Sequence, residues 1–233
     1  MDTNIKTGKK LKSEKPEAVV LKAADLLEKS YGTPSPKPYK DPLEELIFTI
    51  LSQNTNDRNR DRAYTSLRSR FPEWEQVMVA PVLETAEAIK VGGLANQKSA
   101  RIKKILTLIH DKYGKLDLNF LNKLPVTEGK ELLSSFNGVG PKTVACVLLF
   151  ACHKPVFPVD THIFRVSSRL GVLPEKCSDV KAHEIMGSLV PPDRVYSFHI
   201  NVIRHGREVC KPARPKCAGC ALRGICPSRD KFE

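Results

Sequence analysis

Phe136-Asn-Gly-Val-Gly-Pro-Lys-Thr-Val144 is the stretch on which the fold turns. Two glycines bracket one apolar residue, and helical periodicity runs into the turn over Glu128–Phe136 and out of it over Pro141–Cys152. Gly138 and Gly140 are expected to carry the backbone through positive φ and to leave N–H groups open at the start of the second helix, where a phosphate binds. An ordinary helix C-terminal cap uses the same residues, so the turn acquires meaning only from its surroundings.

Those surroundings are helical. Apolar residues recur at 3.6-residue spacing over Glu17–Tyr31, from Asp41 through Leu51, and over Arg62–Arg70, Leu83–Val91, Lys98–Tyr113, Thr161–Leu170, Ser178–Leu189 and Val195–His205. Asp41 followed by Pro42 is a good N-cap with proline at the first helical position. Strand-like alternation is nearly absent, so the fold class is all-α, built of packed helical hairpins.

The 233 residues, 41% hydrophobic and 27% charged, suit one large or two small globular domains and exclude a disordered or fibrous chain. Lys and Arg exceed Asp and Glu by 38 to 26, a net +12, the sign expected of a phosphate-rich partner. No apolar run approaches the ~20 residues of a membrane span. Residues 1–16 carry lysines but no apolar core, so they read as a flexible basic arm rather than a secretory signal. Seven cysteines without such a signal point to a reducing, intracellular compartment: cytoplasm and nucleoid, or the nucleus of a eukaryote.

Three groups of residues carry chemistry. Lys142 sits in the first turn of the helix after the glycines, where the helix macrodipole disfavours an ammonium and a neutral amine is a nucleophile. Asp160, in Val159-Asp-Thr-His-Ile-Phe-Arg165, is expected at a helix N-cap and is available as a partner for that amine. Cys210-x6-Cys217-x2-Cys220-x5-Cys226 supplies four thiolates, which suit structural zinc or a [4Fe–4S] cluster alike. The interval after Cys210 presents Lys211, Arg214 and Lys216 as phosphate contacts, while Cys146, Cys152 and Cys177 are expected to be buried packing residues.

Gly138-Val-Gly-Pro-Lys142-Thr, followed 18 residues after the lysine by Val-Asp160-Thr-His-Ile-Phe-Arg, resembles the helix-hairpin-helix DNA glycosylases of the endonuclease III family, and the likeness extends from about Asp41 to Pro227. The resemblance implies a helical barrel domain over 38–154 containing the hairpin. A second helical domain, 17–37 with 155–233, would carry a [4Fe–4S] cluster on the four cysteines. Double-stranded DNA containing a damaged base or an abasic site would lie in a cleft between them, bound by a monomer. Lys142 would attack C1′ with Asp160 assisting, giving a bifunctional glycosylase and AP lyase acting on oxidised pyrimidines such as thymine glycol.

Leu51-Ser-Gln-Asn-Thr-Asn-Asp57 is similar to the family loop whose glutamine fills the space of the extruded base, and either Gln53 or Asn54 matches it. Gly93-Leu94-Ala-Asn-Gln-Lys98 is similar to the wedge loop, with Leu94 as the apolar insert; a core leucine in a helix-linking turn is the equal alternative. Phe136-Asn137 stands where Leu-Pro is common, and Pro141 where bacterial members often carry arginine. The alternatives are a monofunctional thymine/uracil mismatch glycosylase, a noncatalytic iron–sulfur DNA-binding module, and a zinc-stapled helical protein. Relatives of the first kind typically lack the lysine, so Lys142 argues against it without excluding mismatch substrates. An adenine glycosylase fits less well, because Thr49 or Ile50 stands where that branch has its catalytic glutamate.

Overall fold

A computed structural model describes residues 14–232; the expected basic arm lies almost wholly outside them. Among the described residues there are helices and no β-strand. The chain separates into two compact units, one holding the chain up to Ser35 and from Val159 onward, the other Pro36–Pro158.

In the second of these, α2 (Pro42–Leu51) is the central helix. Asp41 caps it as expected, its carboxylate accepting from the backbone N–H of Leu43 (2.8 Å) and Glu44 (3.0 Å). Leu43, Leu46, Ile47, Ile50 and Leu51 are all completely buried. At about 1.5–3 kcal/mol for each such side chain, this helix alone anchors the core. Against it pack α3 (Asp57–Arg70), α6 (Ala95–Tyr113) and α8 (Pro141–Cys146), while α4 (Trp74–Val79) and α5 (Val82–Ile89) pack on α6 and α7 (Val126–Ser134) packs on α8. Leu67, Ile102, Ile105, Leu106 and Leu148 close the core from these helices and the segment after α8.

Two details depart from the sequence reading. The expected helix Pro141–Cys152 is α-helical only to Cys146 and continues as a π-helical turn, Val147–Ala151. The α4 segment has no counterpart in the periodicity, because six residues are less than two turns.

The other unit joins the N-terminal helix to the C-terminal ones. Helix α1 (Pro16–Tyr31) buries Val20, Ala23, Ala24 and Leu27 and ends at Gly32, whose φ of 84° matches the expected glycine stop. It packs on α11 (Val195–Glu208), where Ser197 donates to Glu28 at 2.8 Å and the Asn201 amide donates to the Gly32 carbonyl at 2.9 Å. Helix α9 (Thr161–Arg169) also packs on α11, and α10 (Asp179–Leu189) touches α1. The cysteine-bearing loop follows α11.

Candidate functional site

The hairpin between α7 and α8 is tight. The Val139 N–H donates to the Phe136 carbonyl at 3.0 Å across a turn in which Gly138 has φ 79°. The positive φ favours glycine there, and an added Cβ would lie 2.2 Å from the Arg101 Nε atom, so a larger residue would also have to displace that side chain. Gly140 departs from expectation: its φ is −88° with ψ 176°, extended backbone that any residue adopts. It serves as the N-cap of α8, where a Cβ would meet nothing within 4 Å. Lys142 is half-buried in the first turn of α8, beside the buried Thr143.

The Ser52–Asn56 loop distinguishes its two amides. Arg101 donates to the Gln53 side-chain oxygen at 2.5 Å, and the Gln53 amide donates to the Thr143 hydroxyl at 3.4 Å. Gln53 is therefore spent on tying the loop to α6 and to the helix that carries Lys142. Asn54 is exposed and has left-handed backbone, φ 51°. Leu94, the N-cap of α6, has the same φ of 51° and is 47% exposed, so it is not a core leucine.

Asp160 belongs to the other unit. It caps α9, its Oδ1 accepting from the Ile163 N–H at 2.8 Å. Cys210, Cys217, Cys220 and Cys226 line one shared pocket with His205 and Arg169. Among the described residues no three His, Cys, Asp or Glu side chains are placed to hold a single metal ion. Four thiols around a common pocket are a donor set that either a structural zinc ion or a [4Fe–4S] cluster accepts.

The surroundings are those that thiolates need. An Arg169 guanidinium N–H donates to the Cys210 sulfur at 3.3 Å, and the ring of His205 meets the Cys220 sulfur at 3.4 Å. Burial pushes the Cys220 and Cys226 thiols up, and the charge of the neighbouring cysteines adds to it.

Arg169 also donates to the carbonyls of Lys211 (2.8 Å) and Pro212 (2.7 Å), and Arg165 to those of Gly206 and Cys210 at 2.8 Å each. These bonds hold the loop on which Lys211, Arg214 and Lys216 stand exposed. Cys146 and Cys152 are buried as expected; Cys177 is not, being half-buried with its thiol at 3.5 Å from the Ser178 carbonyl. It stands just before the N-cap of α10, where the chain has left the core.

Sequence reading missed Arg101, Arg165, Arg169 and His205. Arg165 and Arg169 could have been found from their i, i+4 spacing on one face of α9. Arg101 gave no such signal, since its partner is 48 residues away.

Residues 47–192 match the model of the HhH-GPD superfamily base excision DNA repair proteins. A putative DNA glycosylase of Arabidopsis thaliana is 39% identical over 189 residues, 79% of this chain and 64% of the plant protein. Endonuclease III of Thermotoga maritima is 32% identical over 186 residues, 80% of this chain and 83% of its own. In structure, the enzyme in a trapped endonuclease III–DNA covalent intermediate superimposes with a TM-score of 0.80 at 24% identity, covering 94% of this chain and 99% of that one. An all-α chain with a glycine hairpin, a lysine behind it and a four-cysteine loop is thus placed in a class, and this chain belongs to the HhH-GPD superfamily of base excision DNA repair proteins. No helix among the described residues is long and apolar enough to cross a membrane.

Proposed function

We propose that this chain is a DNA glycosylase with AP lyase activity that removes oxidised pyrimidines, such as thymine glycol, from double-stranded DNA. The observation that carries the reading is Lys142: an amine on the first turn of α8, directly behind the Gly138 hairpin, in a chain of this superfamily.

In this reading the open N–H groups around Gly138 and Gly140 and the exposed Lys211, Arg214 and Lys216 grip phosphates. Leu94 enters the stack and Asn54 takes the space of the extruded base, while Gln53 steadies the loop from behind. The Lys142 amine bonds to C1′ as the bond from C1′ to the base breaks, and the proton that the lysine nitrogen gives up to Asp160 leaves with the base. The sugar ring opens to a Schiff base between C1′ and the lysine nitrogen. That cation acidifies the C2′ proton, whose removal expels the 3′ phosphate. Asp160 takes the proton from the lysine and stabilises positive charge on the sugar.

Cys210, Cys217, Cys220 and Cys226 would hold a [4Fe–4S] cluster, which when bound supplies a covalent staple fixing the basic loop. Iron-bound protein with broad absorption near ~400 nm supports this assignment, and colourless, zinc-bound protein overturns it.

The enzymatic reading is tested by base release and strand cleavage on duplexes carrying thymine glycol, G·T or G·U. Wild type should release thymine glycol and cut the strand, and Lys142→Gln and Asp160→Asn should each lose turnover. Base release without cutting identifies a monofunctional glycosylase; turnover unchanged in both variants removes the two residues from catalysis.

A further inference from the structure

Lys98 is buried to 2% exposure on the first turn of α6, and no carboxylate among the described residues pairs with it. Its ammonium donates instead to two backbone carbonyls, Leu51 and Gly92, each at 2.8 Å. Burial, with the nearby charge of Arg101, holds it below the usual lysine range. A buried charge of this kind is costly unless fully hydrogen-bonded, so the two carbonyls must stay where they are.

Each carbonyl closes a helical element just before an exposed tip with left-handed backbone. Leu51 is the last residue of α2, three residues before Asn54; Gly92 ends a 3-10 turn, two residues before Leu94. Among the described residues only Asn54, Leu94 and His153 have positive φ without being glycine, and two of these three are the exposed tips that follow the carbonyls Lys98 holds. Left-handed backbone costs a leucine roughly 1–3 kcal/mol and persists where the surroundings impose it, whereas an asparagine tolerates it more readily. Gly92 is packed for the same purpose: a Cβ there would meet that of Ala63 at 3.1 Å and approach the Lys98 nitrogen at 4.0 Å.

We infer that Lys98 is a positioning residue that sets the two probing tips, Asn54 and Leu94, at one fixed spacing, so that both engage the same step of a duplex. It rests on the DNA-glycosylase reading above. Lys98 touches no substrate; it acts through the ends of α2 and the 3-10 turn. Discrimination of a damaged site therefore depends on it, while phosphate grip on intact DNA does not.

The test is the ratio of affinities for a duplex with a stable abasic-site analogue and for the intact duplex, per folded molecule, in wild type, Lys98→Met, Leu94→Ala and the double variant. Folded protein is counted by Trp74 fluorescence. Lys98→Met should lower the ratio by about tenfold or more, with intact-duplex affinity within about twofold of wild type. The double variant should fall little below the lower single one, because the two residues act through the same contact. A merely structural lysine would lower the folded fraction and leave the ratio unchanged. An unchanged ratio in folded Lys98→Met, or losses that add fully, overturns the inference. If Lys98→Met does not fold, Gly92→Ala, which displaces the same carbonyl with the lysine intact, is judged by the same two criteria. A wild-type ratio of one overturns the glycosylase reading itself and removes the inference with it.

Discussion

Gly138→Ala strikes the hairpin in two separable ways. The backbone at φ 79° costs an ordinary residue roughly 1–2 kcal/mol. The new methyl would also stand 2.2 Å from Nε and 2.6 Å from Cζ of Arg101, forcing that side chain off Gln53. Losing a hydrogen bond to a charged donor adds about 1.5–3 kcal/mol. The variant should therefore be destabilised by about 2.5–5 kcal/mol. Trp74, the chain's single tryptophan, is buried in the same unit beneath the Arg68 guanidinium, so its fluorescence in urea reports the loss directly. In an Arg101→Ala background the clash has no partner and only the backbone cost of roughly 1–2 kcal/mol should remain. A cost for Gly138→Ala that is the same with and without Arg101 would refute the packing described for the hairpin.

Asp41→Ala removes the cap of α2 and should cost about 0.5–2 kcal/mol in the same urea assay, and Asp41→Asn should recover most of it. Burial pushes the Cys152 thiol up to about 11 from an ordinary 9. The folded chain thus keeps a proton that the unfolded chain gives up, so this stability is complete below pH 9 and lost as pH rises toward 11, by about 3 kcal/mol. Urea midpoints of wild type and Cys152→Ala should converge over that window; a constant gap would refute the burial argument. Neutralising Lys211, Arg214 or Lys216 should weaken DNA binding at every sequence and reduce the salt-dependence slope by about one for each phosphate no longer neutralised. A slope unchanged in all three variants would remove that loop from the interface.

What could be read from sequence was what sequence neighbours decide. The Asp41-Pro42 start, the Gly32 stop, the Gly138 turn and the crowding of Cys210 to Cys226 are all short-range features, governed by local dihedrals and caps. The helical periodicities were legible because each spans several turns, and α4 escaped for want of length. Gly140 looked like a second left-handed glycine because its neighbour is one, yet it begins a helix in extended backbone. Gln53 and Asn54 could not be separated by residue type, since both are amides; Arg101, 48 residues away, occupies the first and leaves the second exposed. Lys98 read as the junction of a loop and a helix with no role of its own, because its two partners are the carbonyls of Leu51 and Gly92, and a backbone carbonyl leaves no mark in a sequence.

Borohydride reduction during incubation with an abasic-site duplex tests the central claim most directly, because it freezes the Schiff base as a stable amine. Wild type should give a covalent protein–DNA adduct and Lys142→Gln none, and the cross-linked peptide should carry its modification on Lys142. An adduct of undiminished yield in Lys142→Gln, or one mapped to another lysine, would contradict the assignment of Lys142 as the nucleophile.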